Sequence, residues 1–299
     1  MPVTTPLSSA RSAVAQALLA RVAGPEATAT RARIHGTPGP RWFAADSPIG
    51  RVHGDASMFA GGVRALLLQS LHPRAMAAVA DHSGYRSDPW GRLQRTATFL
   101  ATTTFATADD AAQAVAIVRA VHAHIRGTTP EGEPYEASDP HLLRWVHVAE
   151  VDSFLRAHQR LGREPLDEAG CDEYVAQSAV IARALGAEGV PVTVAELDEV
   201  LTSYRPELAP SAAAAEAAEF LLRRPPLPLP ARPAYALIAA AGVALMPAWS
   251  REPLGLRPAT AHEQRFGRVA GRVATGTIRW ALDPVDPVQV RPETTPAET

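Results

Sequence analysis

Twice in this chain an aspartate stands directly before a proline at the head of a long run whose apolar residues recur at helical spacing. These are Asp88-Pro89 and Asp139-Pro140. The aspartate can accept the orphan N–H groups of a first helical turn. Proline at the next position has its φ already set and no N–H to lose. The same periodicity marks SMFAGGVRALLLQSL after Asp55 or Ser57, a turn from Pro73 through AMAAVA, and ADDAAQAVAIVRAVHAHIR from Thr107 or Asp109 to a stop at Gly127. It continues in HLLRWVHVAEVDSFLRAHQRLG and over about 167–186, 193–204, 211–223, 232–246 and 260–282. An earlier helix runs from a cap at Ser8 or Ser9 to Val22, and a looser segment follows around Gly36, Pro38, Gly39 and Pro40. No long alternating run bounded by hairpin dipeptides occurs. The expected fold is all-α, with about ten helices. No internal repeat or linker divides it, so residues 1–282 read as a single globular helical domain. The Pro-rich stretch 283–299 reads as a disordered tail.

Composition narrows the chemistry. The 46% hydrophobic content supplies a large core. A net charge of −2, with both signs dispersed, gives no basic face for nucleic acid. All 29 basic residues are arginine, which excludes a Schiff-base lysine and a Walker-type phosphate loop. Cys171 is the single cysteine, so an internal disulfide, a thiolate metal cluster and covalent c-type haem are all excluded. Arg11 and Arg21 interrupt any secretory apolar region, and the run Ala234 to Met246 is too short to span a bilayer. A soluble, cytoplasmic protein without a membrane span is expected.

No Glu-x-x-His pair, H-E-x-x-H motif or G-x-S-x-G elbow occurs, which leaves histidines on helices. His122 and His124 in VRAVHAHIRG point about 200° apart on a helix. Val115, Val118 and Ile125 share the His122 side, and Arg119 and Arg126 lie a turn away on either side. That pattern suits a haem-binding imidazole with guanidinium groups in reach of propionates, and it equally suits a hydrogen-bonded core histidine. In GRLQRTATFL, Arg92, Thr96 and Phe99 form one stripe beside Arg95. They line a pocket, or they are the polar edge of an ordinary amphipathic helix. His147 packs beside Trp145 or reaches a cofactor pocket, and His53 caps a loop or approaches a propionate.

Taken in order, RVHGDASMFAGGVRALLLQSLHPRAMAAVADHSGYRSDPWGRLQRTATFLATTTFAT and VRAVHAHIRGTTPEGEPYEASDPHLLRWVHVAEVDSFLRAH resemble the oxygenase MpaB / latex-clearing-protein family. The resemblance is densest from about Arg51 to Gly162 and weaker to about Trp280. It implies an all-α protein with a globin-like core and one non-covalent haem b, acting with dioxygen on an apolar, isoprenoid- or lipid-like substrate, with an electron donor as a further partner. Carried residue by residue, it places His122 as the iron ligand, with His124 as the fallback. Arg92 and Thr96 match the family's Arg/Thr pair, with Arg95 a further candidate donor; His147 lies in a family-like stretch and is expected to contact the haem pocket, and the spacing of Arg119 and Arg126 to His122 puts them in reach of the propionates. Arg95 stands where rubber oxygenases carry a lysine, and no glutamate lies between Glu26 and Arg92. Both departures point away from polymer cleavage. The rival readings are a non-catalytic haem sensor or store and a haem-free helical binding domain.

Overall fold

The computed structural model describes residues 26–84 and 86–282, with 11, 14–16, 21 and 24 ahead of them. The expected first helix, apart from residues 11, 14–16 and 21, and the expected 283–299 tail lie outside the described residues.

Among the described residues the chain is all-α, with one small hairpin. In order it forms α1 (Ala27–Gly36), α2 (Pro48–His53), α3 (Met58–Gln69), α4 (Pro73–His82), α5 (Pro89–Phe105) and α6 (Ala108–His122). Strands β1 (Arg126–Thr128) and β2 (Pro134–Glu136) follow. Then come α7 (Pro140–Leu161), α8 (Glu168–Leu185), α9 (Val194–Ser203), α10 (Ala212–Leu222), α11 (Arg232–Ala244), α12 (Ala248–Arg251) and α13 (Ala261–Leu282). Thirteen α-helices exceed the expected ten because α1, α2 and the four-residue α12 leave little periodic signal.

The caps form as their chemistry requires. Asp88 accepts from the Gly91 N–H at 2.8 Å and Asp139 from the His141 N–H at 2.9 Å, each with proline in the first turn. Thr107 caps α6 through the Asp110 N–H.

One boundary differs from the sequence expectation. The helix expected to reach Gly127 ends at His122. The Ile125 N–H bonds to the His122 carbonyl at 3.1 Å, a tightened last turn, and the His124 ring takes the Ala120 carbonyl at 2.7 Å. The freed chain pairs antiparallel, with Gly127 opposite Tyr135, around a turn in which Gly132 adopts φ +94°. Tyr135 anchors the hairpin to α4 by donating its hydroxyl to Asp81 at 2.6 Å.

Helix α3 lies at the centre, between α7 and α11. Both approaches depend on missing side chains. A Cβ on Gly61 would stand 2.9 Å from a Phe154 ring carbon, and one on Gly242 would stand 2.9 Å from Val63. The main core joins Leu67 and Leu68 of α3 to Trp145, Val148 and Leu155 of α7, Tyr174 of α8 and Leu197 of α9. Arg64 is buried within it, paired with Asp152 at 2.6 Å and bonded to Ser153 and the Leu245 carbonyl. Its charge is thereby matched and its donors used, which is what burying a guanidinium demands. At the other end of the packing, Arg279 of α13 grips Asp55 with two bonds, of 2.8 and 3.0 Å, and also donates to the Leu161 carbonyl at 2.6 Å.

Candidate functional site

Helix α7 presents Leu143, His147, Glu150 and Phe154 at successive helical steps, so one stripe carries an imidazole and a carboxyl between apolar neighbours. Helix α8 runs alongside. Arg183 acts on His147, and the Glu150 charge acts on Tyr174. Burial holds the His147 imidazole down to about 4, with Arg183 adding to the effect, and burial alone lifts the Glu150 carboxyl to about 7. His147 is therefore neutral at physiological pH, and Glu150 sits close to half-protonated. His147 Nε2 is buried without a hydrogen bond. Among the described residues the Glu150 carboxyl also receives none, although both side chains keep part of their surface uncovered. Strong desolvation together with residual exposed surface puts the stripe at the margin of the packed helices, half-covered by protein.

At the Phe154 end, His53 of α2 closes the stripe. Its Nδ1 lies 2.8 Å from the Thr104 hydroxyl, its Nε2 lies 3.4 Å from the Tyr174 hydroxyl, and its ring meets Phe154 edge-on. Burial drops its imidazole to about 3. On α6, His122 stands in the last turn. The Arg119 guanidinium donates to the Ala184 carbonyl at 3.1 Å and ties that turn to the end of α8. Val115 beneath His122 is buried and Val118 half-buried, as the apolar side of α6 requires. Burial lowers the His122 imidazole, and neither ring nitrogen bonds to another described residue.

The remaining sequence candidates divide. Arg92 is half-buried on α5, and Thr96, one turn on, is exposed. Arg95 is exposed and lies 3.5 Å from Asp88. Arg126 is exposed and bonds to the Ala123 carbonyl. His124 is exposed and spends its Nδ1 on the Ala120 carbonyl of α6. Sequence reasoning passed over Glu150. Its signal was its place in the Leu143–Phe154 stripe, where an amphipathic helix keeps apolar residues.

A second group, from three distant segments, was not foreseen. His72, His141 and Glu207 bring their donor atoms within 4.8 Å of one another, which is close enough to share a metal ion. Glu207 takes His141 Nε2 at 2.8 Å and His72 Nε2 at 3.4 Å. Its surroundings suit the carboxylate better than a cation. Arg144 donates to His141 Nδ1 at 3.2 Å, so the ring proton sits on Nε2 and is given to Glu207. Arg74 lies 3.8 Å from the same carboxylate, and the N-termini of α4 and α8's neighbour α7 both open towards the group. Burial pushes the Glu207 carboxyl up, but the bond from His141 and the neighbouring His72 outweigh it and hold it below the usual range. The group ties the 3-10 turn after α9 to α4 and α7.

The fold and the site thus define an all-α protein in which a half-covered stripe of α7 carries a neutral imidazole and a near-neutral carboxyl. The family described as ER-bound oxygenase mpaB/B'/Rubber oxygenase, catalytic domain, matches residues 50–280, and the chain belongs to that oxygenase family. No curated protein and no solved structure matches it. Among the described residues no helix is long and apolar enough to cross a membrane.

Proposed function

We propose that residues 1–282 form one helical catalytic unit that holds haem b and uses dioxygen to oxidise an apolar small molecule, with electrons from a separate donor where the reaction needs them. The observation that carries this reading is the uncharged, half-buried His122 imidazole, free of protein hydrogen bonds, in the last turn of α6 in a chain of an oxygenase family. A neutral imidazole with an uncommitted lone pair is what a haem iron takes as axial ligand, so the residues present fit the group. Haem, when bound, supplies the centre at which dioxygen is activated.

The chain's own residues do the rest. His122 ligates. The Arg119 bond to Ala184 and the tightened turn after His122 hold the ring's helix end in place. Val115 and Val118 exclude water from that side. His147 lines the interior as an uncharged donor or acceptor. Arg92 and Thr96, one turn apart on α5, make polar contacts at the pocket edge, and Arg119 and Arg126 neutralise carboxylates there. Arg95 serves as a donor at the entrance.

The test is the absorption spectrum of purified protein with haem extraction. The expected result is an intense Soret band in the wild type that disappears in His122→Ala with far-ultraviolet circular dichroism unchanged. A colourless protein that takes up no added haem overturns the reading.

A further inference from the structure

We propose that Glu150, with His147 one turn before it, forms a polar recognition point that selects an apolar molecule bearing a hydroxyl over the plain hydrocarbon of the same shape. The inference takes the interior beside α7 as the substrate pocket of the function proposed above.

Three observations carry it. The first is placement: both side chains lie on a half-buried stripe of α7, between Leu143 and Phe154, where the helix otherwise presents apolar groups. The second is partnership. His147 Nε2 is buried with no hydrogen bond, and the Glu150 carboxyl receives none among the described residues. By contrast, the other carboxylate buried on this helix, Asp152, is fully engaged by Arg64 and Arg156. Buried polar groups in folded proteins are overwhelmingly satisfied, so the orphaned His147 Nε2, with the half-buried and unpartnered Glu150 carboxyl one turn on, calls for a ligand or water with complementary groups. The third is chemistry. A carboxyl and a neutral imidazole together offer both donor and acceptor capacity, which matches a hydroxyl, itself donor and acceptor. A hydrocarbon in the same space leaves both groups unpaired, and sites built to pair a hydroxyl discriminate strongly against the analogue that lacks it. Leu143 and Phe154, one turn beyond the pair on either side, with the His53 ring against Phe154, offer apolar surface to the body of such a molecule.

The experiment compares binding of geraniol with binding of the hydrocarbon of the same skeleton that lacks the hydroxyl, by calorimetry on the full chain as isolated. Wild type is expected to bind the alcohol about tenfold tighter. Glu150→Leu is expected to bring the preference to about twofold or less, by weakening the alcohol and strengthening the hydrocarbon. Glu150→Gln keeps a donor and an acceptor in the same shape and is expected to retain most of the preference, which guards against a variant that fails through misfolding. No preference in wild type, or an unchanged preference in a folded Glu150→Leu, overturns the proposal and leaves water as the occupant. Haem content, read from the absorbance of the same samples, separates the two readings. Discrimination without haem rejects the function proposed above and keeps this inference, and haem without discrimination rejects this inference alone.

Discussion

The molecule holds two histidine–glutamate groups built from the same residue types with opposite electrostatics. In the His72–Glu207–His141 group every strong donor points at the carboxylate: two imidazoles, Arg74 nearby, and Arg144 acting through His141. In the His147–Glu150 group the imidazole Nε2 and the carboxyl have no hydrogen-bond partner among the described residues, and burial drives both towards their neutral forms. The first arrangement resembles a fastener, because the carboxylate and the imidazole nitrogens facing it are taken up by one another, and only His72 Nδ1, on the far side of its ring, is left without a partner. The second keeps its hydrogen-bonding capacity in reserve. Residue identity therefore says less about function here than whether the donors and acceptors are already used.

The comparison breaks most sharply on cofactor content. His122→Ala is expected to lose essentially all bound haem, whereas His141→Ala keeps it, as pyridine haemochromogen assays will show; parallel loss in both would merge the two regions. Next in size is a pH effect. The folded protein holds the Glu150 proton more tightly than the unfolded chain, so this residue lowers stability as pH rises from its usual value of 4.5 through about 7. Glu150→Gln is therefore expected to gain on the order of 2 kcal/mol at pH 8 and almost nothing at pH 4, measured by urea unfolding.

His147 runs the other way. Its folded value of about 4 lies below the ordinary 6.5, so its contribution is complete above 6.5 and is lost as pH falls towards 4. His147→Gln should flatten that acid limb of the stability profile, and an unaltered limb would place the ring in water. Glu207→Ala removes bonds that are already made, and about 1 kcal/mol of destabilisation with haem content unchanged is expected. Smallest of all is the response to zinc. With the His141 Nε2 proton committed to Glu207 and two guanidinium groups close by, micromolar zinc should shift the melting temperature by less than about 1 °C. A rise of several degrees would turn the fastener into a metal site.

Much of the framework was legible from the residues. Asp88-Pro89, Asp139-Pro140 and Thr107 announced three helix starts because capping is local chemistry written in two or three adjacent residues. The hairpin was not legible. Three-residue strands carry too little alternation to outweigh the helical period running into them, and it is held by Tyr135 reaching Asp81, a contact between distant segments. The site divides along the same line. His122 could be placed on the apolar side of its helix from spacing alone. The partnering of His72, His141 and Glu207 could not, because it depends on how α4, α7 and the turn after α9 are brought together. Glu150 fell between the two cases: its stripe position was readable, but its lack of a partner was not.

The double bond from Arg279 to Asp55 has a consequence for how order is lost. The family match covers residues 50–280, and this pair lies just inside both limits while also holding the last carbonyl of α7. Fraying from either side must break the same contact, so the two extremities open together rather than in sequence. Amide exchange in α2 and in the final turn of α13 should then report one shared opening event with a single free energy.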